Sequence, residues 1–271
     1  MSNNPKKNNL WNVMKNISST YYKLDSFERI HDNKFIENSN ELSTIGKEIF
    51  DNFSDVKINF FLDICAAPGM YSKELLERTN ASGVGISLPP EKGGVKFEIE
   101  NKKYKMFYKD ILEKDHKIET PKPFDFGMAS CVSYMDTRNA HNLNMELILT
   151  SMKLILDSLE EGGNMMINMT MKNIYSCYNI IHHVLMDFDS IKLWKSHIVW
   201  GTKNTFYLFC YGYKNSGLKD KLKNMINEIK NERSNFNNMF LGDNKSYNTI
   251  TKMMNDIYIV RINCWLKLLG K

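Results

Sequence analysis

At 271 residues, with a hydrophobic share of 42% and a charged share of 25%, the chain has the apolar mass for one large core, and one α/β domain with helical additions fits better than two equal domains. Its net charge of +5 permits a polyanionic partner without demanding one, because dedicated nucleic-acid binders usually carry larger excesses. The N-terminus MSNNPKKNNLWN lacks the apolar centre of a secretory signal and no stretch approaches membrane-span length, so the protein is expected to be intracellular and soluble, with no membrane partner.

In chain order, residues 1–55 read as polar and helical in pieces, and the clearest piece places Leu42, Ile45, Ile49 and Phe53 on one helix face. The period then changes. Short apolar or alternating runs at 58–64, 83–88, 104–111, 124–130, 164–169, 190–196 and 205–213 read as seven strands, with helices at about 69–79, 141–160 and 173–187 between them. Strands interleaved with helices imply a mostly parallel sheet covered on both faces. The linker 197–204 is too short for the crossover that parallel neighbours need, so the last two strands are expected to form an antiparallel hairpin. The tail carries two amphipathic stripes, Leu218, Leu222, Met225 and Ile229, then Ile250, Met253, Met254, Ile257, Trp265 and Leu268, which read as packing on the parent domain, with a protein-partner surface as the alternative. The expected division is an N-terminal helical extension (1–55), a central domain (56–214) and a C-terminal helical extension (215–271).

The five cysteines, Cys65, Cys131, Cys177, Cys210 and Cys264, never form a C-x-x-C pair. Most sit in or beside apolar runs, which reads as buried free thiols and argues against a disulfide scaffold and against a zinc site. No metal is expected. His182 and His183, on one predicted helix, read as packing or surface residues. Abundant Asn, Lys, Ile and Met reads as the coding bias of an AT-rich genome.

The segment FLDICAAPGMYSKELLERT (61–79) carries the chemistry. An apolar strand ends near Asp63, a tight turn of Ala66, Ala67, Pro68 and Gly69 follows, and a helix begins. That arrangement builds a crevice at the carboxyl end of the first strand, where open α/β sheets bind ligands. Pro68 presets the first helical turn, Gly69 offers a backbone without a Cβ to an approaching ligand, and the helix N-terminus offers N–H groups and a positive dipole to a carboxylate. The G-x-G-x-x-G pattern of a nicotinamide site is absent, which disfavours a dinucleotide oxidoreductase.

The run D-I-C-A-A-P-G resembles the first motif of the FtsJ-like ribose 2′-O-methyltransferases, which bind S-adenosyl-L-methionine (AdoMet) through D-x-x-A-A-P-G-G-[FW]-[ST]. Here Met70 stands at the second Gly and Tyr71 at the aromatic, followed by Ser72. Four further segments resemble the family in order: GVGISLPPEKGG (83–94), YKDI (108–111), FDFGMASC (124–131) and EEGGNMMINM (160–169). The closing KSHIVWGTKNTFYLFCYGY (195–213) resembles the hairpin of the eukaryotic and large-DNA-virus branch. The resemblance implies a Rossmann-like sheet of seven strands with the last antiparallel. It implies AdoMet as cofactor, held by Asp63, Ala66, Pro68, Gly69, Met70, Tyr71, Ser87, Leu88, Asp110 and Ile111, and RNA, capped or structured, as partner.

The family's Lys-Asp-Lys-Glu tetrad maps onto Lys23, Ser130, Asn168 and Thr205 (or Asn204), so the resemblance keeps one of its four groups. Lys172 and Asp136 are the nearest substitutes in sequence for the missing lysine and aspartate. Lys6, Lys7, Lys15 and the Lys219, Lys221, Lys223 cluster read as solvated charge, with RNA contact as the alternative. Two functions follow: an AdoMet-dependent RNA methyltransferase of the ribose 2′-O class, weak or inactive, or a catalytically dead methyltransferase-fold module that binds RNA or protein.

Overall fold

The structure is a computed structural model that describes residues 3–24, 39–113, 122–131, 140–230 and 239–268. Its elements, in order, are α1 (Asn9–Leu24), α2 (Ser39–Asn52), β1 (Phe60–Ile64), α3 (Met70–Arg78), β2 (Ser82–Ser87), β3 (Tyr104–Tyr108), β4 (Phe124–Ala129), α4 (Ala140–Ser158), β5 (Leu159–Thr170), α5 (Ile174–Asp187), β6 (Phe188–Trp194), β7 (Thr205–Tyr213), α6 (Leu218–Lys230) and α7 (Asn244–Leu268). The strands form one sheet in the order β3-β2-β1-β4-β5-β7-β6. β7 runs antiparallel to both β5 and β6, and the remaining pairings are parallel. All seven expected strands are present, and the reversed last strand is the expected one.

Burial on both faces explains the near-continuous apolar strands. Every residue of β1, FFLDI, is buried. One face packs Phe61, Phe126, Met128, Met166 and Phe209 against Ile45, Ile49 and Phe50 of α2 and Leu75 of α3. The other packs Leu62, Ile64, Val84, Ile167 and Leu208 against Leu149, Met152 and Leu156 of α4 and Ile180, Ile181 and Val184 of α5. Phe61, Phe126 and Phe209 are fully buried, and each such side chain contributes roughly 1.5–3 kcal/mol relative to exposure. Phe53, expected on the helix, lies one residue past α2 but points into the same cluster.

Both tail helices pack as their stripes predict. Leu218, Leu222, Met225 and Ile229 are buried and α6 lies on α4. In α7, Ile250, Met254, Ile257 and Trp265 are buried, Met253 is half-buried and the Leu268 side chain lies outside the described residues, and that helix packs on α1, α5 and β6. Among the described residues no helix is long and apolar enough to cross a membrane.

The sheet has a topological switch point between β1 and β4. From the end of β1 the chain leaves toward α3 on one face, and the neighbouring β4 is followed by α4 on the other. Open α/β sheets bind ligands at that crevice.

Candidate active site

At the carboxyl end of β1 the chain turns sharply. Cys65 adopts φ +63°, and Ala66 N–H donates to Ile86 O at 3.1 Å, which ties the turn to the end of β2. Gly69, at φ +111°, is the N-cap of α3, and no side chain caps that terminus. The first intrahelical bond is Lys73 N–H to Gly69 O at 2.8 Å, so the N–H groups of the preceding turn have no acceptor within the helix. This terminus fits the carboxylate of an amino-acid moiety such as that of AdoMet.

The reason for Gly69 differs from the expected one. A Cβ there would lie 2.6 Å from Phe97 Cε2 and 2.7 Å from Ile99 Cγ1. The space is filled by the protein's own crossover from β2 to β3, whose Glu98 N–H donates to Pro68 O at 3.0 Å. Gly69→Ala is therefore expected to cost roughly 2–5 kcal/mol, from left-handed strain plus overpacking. A urea midpoint equal to that of the wild type would refute this.

Asp63 is 2% exposed. Its Oδ2 accepts a 2.6 Å bond from Ser72 Oγ, and that hydroxyl lies 3.0 Å from Tyr104 OH. The contact anchors the third residue of α3 to the end of β1. Tyr104 reaches it because Gly85 leaves bare backbone under its hydroxyl. Burial raises the Asp63 pKa from 3.8 to about 7, with the Ser72 bond opposing. On the adjoining strand ends, Ser87 is buried and its carbonyl accepts Lys109 N–H at 2.8 Å. Asp110 Oδ1 accepts Leu112 N–H at 2.9 Å in the turn after β3, beside half-buried Leu88 and buried Ile111. Met70 is half-buried. The Tyr71 side chain is committed elsewhere: it is buried, with its hydroxyl 2.7 Å from that of Tyr207 on β7.

Of the four positions expected for the tetrad, Ser130 and Asn168 touch, and Thr205 lies on the strand next to Asn168. Asn168 Nδ2 donates to Ser130 Oγ at 3.0 Å. Thr205 faces Thr170 across the β5–β7 ladder, one side-chain step from the Asn168–Tyr207 pair. Asn168 is 5% exposed and its Oδ1 is buried without a partner. Neither Ser130 nor Asn168 titrates near neutral pH, so these two side chains offer hydrogen bonds but no base. Lys23 lies in the last turn of α1, its side chain outside the described residues, as is all of Asp136. Lys172 is exposed on the β5–α5 loop. Glu48, on α2, has a buried Oε2 without a partner.

Lys195, just beyond β6, carries no signal of a buried role in the sequence. It is 3% exposed, and its Nζ donates to the carbonyls of Trp200, Lys203 and Thr205 at 2.9, 3.0 and 2.6 Å. Burial, then the Arg261 charge, lowers its pKa from 10.5 to about 7. Arg261 Nε donates to Thr202 O at 2.9 Å, so α7 grips the same loop that delivers Thr205.

The expectation of free thiols holds for Cys177, Cys210 and Cys264 and fails for Cys65 and Cys131, which form a disulfide. Sequence spacing carried no sign of it because the partners are 66 residues apart and meet only through the pairing of β1 with β4. His182 and His183 are half-buried and pack side by side. Burial, then His182, lowers the His183 pKa to about 4. Among the described residues no cluster of His, Cys, Asp and Glu fits a metal ion.

No curated protein sequence matches the chain. Among solved structures, a protein described as a ribosomal RNA methyltransferase from Plasmodium falciparum superposes with a TM-score of 0.50 at 16% identity, covering 65% of this chain and 98% of that one. The ribosomal protein L11 methylase of Lactobacillus delbrueckii subsp. bulgaricus gives a TM-score of 0.40 at 11% identity, over 64% of this chain and 77% of that one. The first of these likenesses shows the shared fold. The model of the FtsJ-like methyltransferase family matches residues 44–213, more than half of the chain, and this protein belongs to that family.

Proposed function

We propose that the chain binds AdoMet in the crevice at the carboxyl ends of β1, β2 and β3 and directs methyl transfer to RNA, with the ribose 2′-hydroxyl as the acceptor class. The turnover is far below that of a complete tetrad. One observation carries the reading: the cofactor side keeps a locked, uncapped helix terminus beside Asp63, while the acceptor edge keeps only the neutral Ser130–Asn168 pair.

AdoMet supplies a sulfonium-bound methyl group. The α3 terminus would hold its carboxylate, and Ser87 and Asp110 would hold its ribose and adenine. Ser130, Asn168 and Thr205 position the acceptor hydroxyl through hydrogen bonds, and Lys23 is the one tetrad group that can take its proton. Positioning can supply about 7–11 kcal/mol of such a barrier, whereas each lost acid–base group typically costs about 10²–10⁴ in rate, not additively. RNA as partner rests on the family, on the description of the Plasmodium falciparum neighbour and on the excess of basic residues. The division at residues 55 and 214, with the terminal helical segments as additions, belongs to the same proposal.

A second reading, a binding module without turnover, is favoured by the Ser130–Asn168 bond, which commits the Asn168 amide N–H and the Ser130 hydroxyl oxygen to each other. Calorimetry with AdoMet, beside an Asp63→Ala control, followed by labelled-methyl transfer to capped and structured RNAs, separates the two. The expected result is binding near micromolar that the control loses, and slow transfer that the double variant Ser130→Asp, Asn168→Lys raises by about 100-fold or more. No binding at millimolar AdoMet would end the cofactor reading. Binding without transfer, in the wild type and the double variant alike, would establish the module.

A further inference from the structure

The Cys65–Cys131 disulfide lies at the switch point itself. β1 and β4 are paired up to Ile64 and Ala129, and the last backbone bond between them is Ser130 N–H to Ile64 O at 3.3 Å. Beyond it the two chains leave for opposite faces of the sheet, and that divergence is what opens a ligand crevice. Here the divergence is delayed: the Cα atoms of Cys65 and Cys131 are still 5.2 Å apart, close to the ~4.8 Å spacing of hydrogen-bonded strands. The left-handed Cys65 backbone makes the link possible. Side chains of an uninterrupted strand alternate, which would keep Cys65 on the α3 side with Asp63. The φ of +63° instead brings Cys65 onto the α4-side cluster, where Cys131 is buried. Cys65 is the accessible half of the pair, being only half-buried.

We infer that Cys65 and Cys131 form a redox site at the cofactor crevice: the bonded form narrows it, and reduction by a dithiol opens it to AdoMet. The inference rests on the AdoMet reading above. In the chemical step a thiolate of the dithiol attacks Cys65 Sγ, the S–S bond breaks, and Cys131 leaves as a thiolate. The second thiol of the reductant then attacks the mixed disulfide and releases Cys65. Two electrons pass to the pair, its two thiolates take up protons, and the dithiol becomes a disulfide. The remaining cysteines take no part, since Cys177 and Cys210 are buried and Cys264 lies at the α7–loop contact.

The test uses the full chain purified without reductant, and the same protein after dithiothreitol. Maleimide labelling under denaturing conditions, read by mass, is expected to find the three free cysteines before reduction and all five after; five at the outset would overturn the bond. AdoMet titrated into both forms is expected to bind the reduced one at least tenfold more tightly. Cys131→Ser, or Cys65→Ser if the first misfolds, is expected to bind at the reduced-form affinity with or without dithiothreitol. Affinities within twofold, or tighter binding to the oxidised form, would overturn the gate. If neither form binds, the AdoMet reading fails by itself. The gate is then judged by amide exchange over 64–69 and 129–131, where at least tenfold acceleration on reduction sustains it and no change ends it.

Discussion

Replacing Lys195 by methionine is expected to destabilise the protein by about 3 kcal/mol, a fall in melting temperature of roughly 6–12 °C for a chain of this size. Methionine retains an apolar stem of similar length and removes the charge, so the change isolates the ammonium. Three carbonyls, of Trp200, Lys203 and Thr205, converge on Nζ within 2.6–3.0 Å, matching the three N–H bonds of the ammonium form, of which the neutral amine above pH 7 keeps two. Removing the donor takes it from the partly buried carbonyls of Lys203 and Thr205, at about 1–3 kcal/mol for each acceptor left unpaired, while Trp200 O still accepts Lys203 N–H at 3.0 Å. Against this stands the relief of no longer burying a cation, a cost visible in the pKa drawn down to about 7. The lost donor wins because Nζ gathers three points of the segment at once, whereas the other ties of the loop each hold one point: Ser196 Oγ accepting Ile198 and Val199 N–H, Arg261 on Thr202, Trp200 Nε1 on Glu41, Cys264 on His197 and Met171 N–H on Asn204 O. The pH dependence has a definite sign. Between pH 7 and 10.5 the unfolded lysine holds a proton that the folded one has lost, so wild-type stability rises with pH in that window. The gap to Lys195→Met should therefore widen from pH 7 to pH 9, as denaturant midpoints at both values would show. A gap that is absent, or that narrows with pH, would mean that Lys195 does not organise this loop.

The strands were legible because burial on both faces forces apolar runs, and the hairpin because a linker of eight residues cannot cross over. β5 is longer than its apolar run at 164–169: it begins at Leu159, where the sequence pattern still reads as helix. Of the candidate site, the β1–α3 turn was legible, because strand end, turn and helix start are contiguous in sequence. Where partners lie far apart it was not. The Cys65–Cys131 bond depends on the β1–β4 pairing, and Arg261 reaches Thr202 only because α7 folds back along β6. Gly69 and Tyr71 show a subtler failure. The motif marks both positions, yet the space over Gly69 is taken by a crossover of this chain, and the aromatic ring is spent on Tyr207. A family pattern records which residues stand at a site, and their contacts decide what each one does there.

Asp63→Asn is expected to make the protein more stable at pH 8 and less able to bind AdoMet. Burial raises the Asp63 pKa from 3.8 to about 7, so between pH 4 and pH 7 the folded protein holds a proton that the unfolded chain has released. Stability from this group is full below pH 4, falls as pH rises through the window, and levels off above pH 7. The loss is on the order of 4 kcal/mol at most, each tenfold of proton affinity being worth about 1.4 kcal/mol. Asparagine keeps an acceptor for the 2.6 Å Ser72 bond and carries no charge at any pH, so the variant should lack this slope. Urea midpoints at pH 4.5, 6 and 8 are therefore expected to start close together and to separate by roughly 2–4 kcal/mol in favour of the variant. A gap that stays constant with pH would show that Asp63 does not titrate in the window. The opposite signs on stability and binding carry the functional argument. A buried carboxylate held at a stability cost beside an uncapped helix terminus has no packing rationale, since the neutral isostere fills the same space and keeps the same hydrogen bond. The negative charge is explained if the crevice receives a cation, and AdoMet brings two, its sulfonium and its ammonium.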